Sequence, residues 1–251
     1  MDTLAQAQPV HYLPIATTLI SALFCAVLLR RYVQKRSGAH LLWWALGVFC
    51  YGVGTALESA VTIFGNSAAL NKAWYIAGAL FGGYPLAQGT VYLLLRRRTA
   101  NLLSAVTVPF ILVLSVLVVL SPTDVERLQS YRPGGAALGW QWIRPFTPLI
   151  NGYAALFLIG GAVLSAARYA RWPDTRNRAV GNALIAFGAL LPGIGGAMAK
   201  GGMVEVLYVG EFVGILFIWA GYAACVGRPS SSLAPALERP ELCGTDLSHT
   251  T

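Results

Sequence analysis

Seven stretches of this chain are continuously apolar for about the length that crosses a bilayer, roughly 20 residues each as helix, and that repetition constrains the fold more than any motif. They fall at about residues 10–30, 41–64, 73–95, 102–120, 147–168, 179–199 and 203–225. Connected by short segments, they take up nearly all of the 251 residues and leave no room for a soluble catalytic domain. Charged residues make up 11% of the chain, against roughly 25% in a soluble domain, too few to cover a water-facing surface. Runs such as ILVLSVLVVL and VGILFIWAGYAAC lack the alternation of a membrane-barrel strand. Backbone groups in lipid have to be satisfied within the segment, so each run is expected to be a helix. The expected fold is all-α, a polytopic membrane protein with seven transmembrane helices in one bundle over residues 1–226. Residues 227–251, rich in Pro and Ser and without apolar period, read as a flexible cytoplasmic tail.

Orientation follows from positive charge, which is retained on the cytoplasmic side. Thirteen of the eighteen Lys and Arg residues lie on one side of the expected topology, at Arg30, Arg31, Lys35, Arg36, Arg96, Arg97, Arg98, Arg168, Arg171, Arg176, Arg178, Arg228 and Arg239. The other side holds Lys72, Arg127, Arg132, Arg144 and Lys200. The N-terminus is therefore expected outside and the C-terminus inside, in the bacterial cytoplasmic membrane. The net charge of +8 reads as a topology signal with no nucleic-acid partner implied, and the basic inner loops could also meet anionic lipid or a protein partner. No basic residue precedes the first span, so it reads as a retained anchor and not as a signal peptide. Cys25, Cys50, Cys225 and Cys243 all fall in the membrane or on the inner side, where disulfides are uncommon, and are expected to be free thiols.

One connection is long. Residues 121–148 carry a PGG turn signal and Tyr131, Trp140 and Trp142, which suit the headgroup zone. Two readings follow, interfacial anchoring or a lid over an outward-facing pocket. Within the spans, Gly78 with Gly82 and Gly210 with Gly214 have the small-xxx-small spacing of close helix packing. Pro192 removes a backbone hydrogen bond from the sixth span and is expected to kink it as a hinge.

Ionisable groups inside spans are costly and mark candidate sites. Glu58 shares a helical stripe with Tyr51, Thr55 and Thr62, Glu211 lies inside the seventh span with Tyr208 one turn before it, and Glu205 sits nearer the interface. Lys200, Asn151 and Tyr153 map to the same outer depth, so these residues on several helices form the candidate ligand pocket. The alternative is that the carboxyls only hold helices together. A second stripe, Tyr84, Gln88 and Tyr92, lies toward the inner half and reads as interhelical hydrogen bonding, or as part of a polar track if the two stripes face each other.

No catalytic or metal motif is present. His11, His40 and His249 are placed too far apart to share a metal or a haem, no HExxH or GxxxxGK[ST] sequence occurs, and the seventh span has no interior lysine for a retinal Schiff base. The expectation is a non-enzymatic protein without metal or cofactor.

The segment HLLWWALGVFCYGVGTALES, followed by KAWYIAGALFGGYPLAQGTVYLL, resembles the second and third helices of the seven-helix N-terminal sensor region of some bacterial histidine kinases and diguanylate cyclases. In that region a Trp-rich, acid-containing second helix precedes a Trp-x-x-x-Gly opening of the third, here Trp74 to Gly78. GWQWIRPFTPLINGYAALFLIGGAVLSAARYARW and ALIAFGALLPGIGG resemble its fifth and sixth helices, including Pro192, so the resemblance spans about residues 10–225. It implies a membrane sensor bundle, and no ligand residue is carried over from it. That family couples the bundle to a cytoplasmic output domain, whereas only about 25 residues follow the last span here, so the expectation is a bundle that signals through a partner or has taken another role. The first functional reading is thus a sensor or receptor-like protein binding a small molecule in the outer half. The alternatives are a small transporter or channel, and a structural or assembly partner.

Overall fold

The apolar runs become helices, as backbone saturation in lipid demands. The structure is a computed structural model that describes residues 9–35, 38–130 and 132–226, with the side chain of Lys200 outside the description. The expected tail, with Arg228, Arg239, Cys243 and His249, and also Arg36 and Tyr131, lie outside the described residues. A short turn at Pro9–Tyr12 leads into α1 (Leu13–Lys35), followed by α2 (Ala39–Phe64), α3 (Ala68–Trp74), α4 (Tyr84–Leu94) and α5 (Arg97–Leu120). Then come α6 (Phe146–Ala154), α7 (Gly161–Tyr169), α8 (Arg176–Lys200) and α9 (Val204–Val226). A π-helical stretch, Ala155–Gly160, joins α6 and α7 into one rod. Among the described residues the β structure is confined to a single antiparallel bridge between Thr123 and Leu138.

Six of these rods are long and apolar enough to cross a membrane, which makes this an all-helical, multi-pass membrane architecture. The third run, expected as one span over 73–95, is the exception. After α3 the chain makes a π-helical stretch, Tyr75–Leu80, and then leaves the helix at Phe81–Gly83 before α4 begins. Pro85 has no N–H to give the Phe81 carbonyl and stands in the first turn of α4, a position that suits a helix start after the break. Gly82 makes the break compact, since a Cβ there would run into the Gly78 carbonyl. Gly78 and Gly82 therefore do not form one continuous helix face. Gly78 instead receives Gly54 of α2, whose Cβ would stand 3.2 Å from the Gly78 Cα.

α8 and α9 approach most closely, and glycine is the reason. A Cβ on Gly188 would lie 2.6 Å from the Gly214 carbonyl, and one on Gly214 would lie 2.6 Å from the Gly188 carbonyl. Pro192 stands four residues after Gly188 and leaves that carbonyl without its helical donor, so the freed oxygen faces the Gly214 backbone, the kind of Cα–H···O contact found at helix interfaces. Pro192 lies inside α8, which runs from Arg176 to Lys200.

Three apolar clusters fill the bundle, the smallest formed by Val204, Leu207 and Tyr208 of α9. Phe24, Leu28, Val48, Leu86, Ile215 and Tyr222 join α1, α2, α4 and α9, while Tyr75, Leu80, Tyr84, Ile111, Leu138 and Ile150 bind α5 and the long connection to the middle of the bundle. The perimeter is also apolar. Leu19, Leu102, Val106, Leu156 and Leu164 are all more than 60% exposed, an outer surface that only a lipid-like surrounding can cover.

The connection between α5 and α6 is ordered against the bundle end where α2 stops and α9 starts. It closes on itself through the Thr123–Leu138 bridge and the Gly139 N–H to Pro122 carbonyl bond at 2.7 Å. Asn66 and Asn71, on either side of the α3 start, fasten it from outside. Asn71 Nδ2 donates to the Gly134 carbonyl at 3.0 Å and Asn71 Oδ1 accepts from the Gly134 N–H at 2.8 Å, while Asn66 Nδ2 donates to the carbonyls of Gln129 and Arg132. Trp140 and Trp142 stack with ring centroids 6.2 Å apart, and Trp142 remains exposed at the edge.

Candidate functional site: a capped cavity with a carboxyl floor

Beneath this connection lies a cavity of about 1140 Å³. Its wall takes residues from α2, from α3 and the break after it, from α6, α8 and α9, and from the connection itself. Such a volume is slightly above the roughly 300–1,000 Å³ of small-molecule sites. The connection thus contributes wall residues to the cavity besides placing tryptophans at the rim.

Glu58 is at the floor, 1% exposed, six residues before the end of α2. Its Oε1 accepts from Trp74 Nε1 at 2.8 Å. Glu211 reaches in from α9 and lines the same cavity. Glu58 Oε2, Glu211 Oε2 and the Tyr208 hydroxyl are nevertheless buried without a partner on the protein. Leaving such groups unpaired costs roughly 1–3 kcal/mol each, and all three belong to side chains that line the cavity.

The other expected residues divide. Tyr51 and Thr55 line the cavity beside Glu58, with the Tyr51 hydroxyl donating to the Glu211 carbonyl at 2.8 Å and Thr55 Oγ1 sharing a 2.9 Å bond with Thr18 Oγ1 of α1. Asn151 lines it from α6. Glu205 is half-buried at the start of α9, and the Lys200 side chain lies outside the description. Tyr153 is absent from the wall and donates instead to Gln88 Oε1 at 2.6 Å. Pro192 lines the cavity, and the glycine beyond it, Gly196, has nothing within 4 Å of where a Cβ would stand.

The second stripe is consumed in holding helices together. Gln88 Nε2 donates to Ser104 Oγ at 2.7 Å, Tyr84 shares a 2.6 Å bond with Thr107, and Tyr92 donates to Asn101 Oδ1 at 2.8 Å, all across to α5. None of the three lines the cavity.

Sequence reasoning missed the upper wall. Arg127, Arg132 and Arg144 sit in the connection at the mouth, where their charge had registered only as exceptions to the inner bias. Arg127 is paired with Asp124 at 3.0 Å. Arg132 donates to the Gly202 carbonyl at 2.9 Å and to Gln129 Oε1, and Arg144 donates to Gln141 Oε1 at 2.7 Å. Gly202 adopts φ 100°, a left-handed turn that presents its carbonyl to Arg132. Trp74 was noticed only as part of a motif, and its bond to Glu58 depends on which way α3 is turned. Among the described residues no group of His, Cys, Asp and Glu has the arrangement of a metal site. No family model matches this chain, and no curated protein matches it.

Proposed function

We propose that this protein is a non-enzymatic, receptor-like or sensor bundle of the bacterial cytoplasmic membrane, with seven crossings and the capped cavity facing outward. The observation that supports it is the cavity lining, where three buried polar atoms, Glu58 Oε2, Glu211 Oε2 and the Tyr208 hydroxyl, have no partner on the protein. A ligand there touches α2, α8 and α9 together, and differential contact with two arrangements of these helices is what shifts a population. The basic inner ends would carry the change to a partner. Arg31 lies against the Tyr222 ring at 5.6 Å, tying α1 to α9 at that end.

Native mass spectrometry of the protein in mild detergent tests this reading. Wild type is expected to retain a small molecule that is lost in Glu58→Gln/Glu211→Gln and also in Gly196→Leu, which fills the cavity from an open position and leaves the carboxyls in place. An empty wild type that only loses stability in the carboxyl variant would defeat it.

A second reading, a small transporter, draws on the broken third segment, because discontinuous helices at mid-membrane sites are a transporter device and Gly82 and Gly83 of the break line the cavity. Flux in proteoliposomes separates the two, since a receptor gives none.

A further inference from the structure

Resting on the reading that the cavity holds a ligand, we infer that the ligand is a zwitterion about 10 Å long, with a primary ammonium on the Glu58–Glu211–Tyr208 floor and an acidic group under Arg132 and Arg144. Three unpartnered oxygens belong to side chains that line the floor, and a primary ammonium has three N–H donors. Trp74 and Tyr208 add aromatic rings to the cavity lining, which suits a cation as well. No lysine or arginine among the described side chains is paired with either carboxyl.

The mouth has the opposite need. Arg132 and Arg144 line the cavity with no acidic partner among the described residues, and their known bonds go to neutral oxygens and occupy only some of five donors each. A simple amine would have to pass these two guanidiniums and leave them unbalanced. A simple anion would satisfy the mouth and leave the floor bare. One molecule carrying both charges satisfies each end.

The span follows from helix rise. Glu58 lies six residues below the end of α2, or about 9 Å at 1.5 Å per residue, and the connection carrying the arginines lies across that end. An amino acid is too short for both ends at once. An extended tripeptide, at up to about 3.3–3.6 Å per residue, reaches about 10 Å.

The test is calorimetric titration of the purified full chain with triglycine as the probe, beside N-acetyltriglycine, triglycine amide and glycine. Triglycine is expected to bind, and blocking either end or shortening to glycine should weaken binding at least tenfold. Arg132→Gln should weaken triglycine several-fold without changing triglycine amide, and Tyr208→Phe should weaken triglycine without changing N-acetyltriglycine. Equal binding of the acetylated and free peptides, or no heat with triglycine on wild type, overturns the inference. Native mass spectrometry of the same preparation then separates the two levels. A retained molecule that depends on Glu58 and Glu211 keeps the ligand-binding reading and sinks only the zwitterion, whereas an empty protein sinks both.

Discussion

Trp74 donates its indole N–H to Glu58 Oε1 over 2.8 Å, joining the end of α3 to the last two turns of α2 at the base of the cavity. The bond leaves Glu58 one free oxygen, Oε2, and so sets which edge of the carboxyl the cavity sees. Trp74→Phe keeps an aromatic ring in the cluster around Tyr75 and loses only the donor. Membrane hydrogen bonds of this kind are worth about 1 kcal/mol. Thermal unfolding in detergent is expected to show a loss of that size, and ligand retention should fall because the Glu58 carboxyl is released to turn.

The fastening of the connection rests on Asn71, which is buried and bonded in both directions to Gly134. Asn71→Ala leaves the Gly134 N–H and carbonyl without partners, and each buried orphan costs roughly 1–3 kcal/mol. Hydrogen exchange at Gly134 and along the connection is expected to speed up by at least tenfold, while the α8–α9 amides keep their protection. Unchanged exchange at Gly134 would show that the strap does not depend on this side chain.

The α8–α9 seam makes a sharper demand on size. Gly214→Val puts a side chain against the Gly188 carbonyl and the Pro192 ring, whose Cδ stands 3.0 Å from the Cβ position. Overpacking of this sort costs about 1–3 kcal/mol. Gly160→Ala serves as the control, since nothing lies within 4 Å of its Cβ position, and it is expected to leave the unfolding temperature within a degree or two of wild type.

Gln88 binds Ser104, the Ala100 carbonyl and the Tyr153 hydroxyl, so it holds α4 to α5 and to α6. Gln88→Met preserves volume and loses these bonds, for a cost of about 1–2 kcal/mol. Retention of a cavity ligand should be unaffected, because Gln88 does not line the wall. A ligand lost in this variant at unchanged stability would join the second stripe to the site.

Sidedness can be read at Trp142, which is 55% exposed on the connection. With the basic ends inside, Trp142→Cys is expected to react with a membrane-impermeant maleimide in whole cells. Labelling only after the membrane is opened would invert the orientation.

What the residue order determined on its own is the part that is local. An apolar run in lipid has to satisfy its own backbone, so helix and membrane follow from each run separately, and an acid inside such a run stands out wherever the rest of the chain goes. Glu58 and Glu211 stood out on that ground. The tertiary structure decided how each helix is turned about its axis and how near its neighbours come. Glycine contacts such as Gly188 with Gly214 set those distances, and the Pro85 break re-aims α4. That geometry, between residues far apart in the chain, brings Glu58 and Glu211 to one cavity, gives Trp74 its acceptor and sends Tyr153 to Gln88 instead of the cavity. It also folds three arginines of the connection over the mouth, where counting charges per loop could assign them only a side of the membrane.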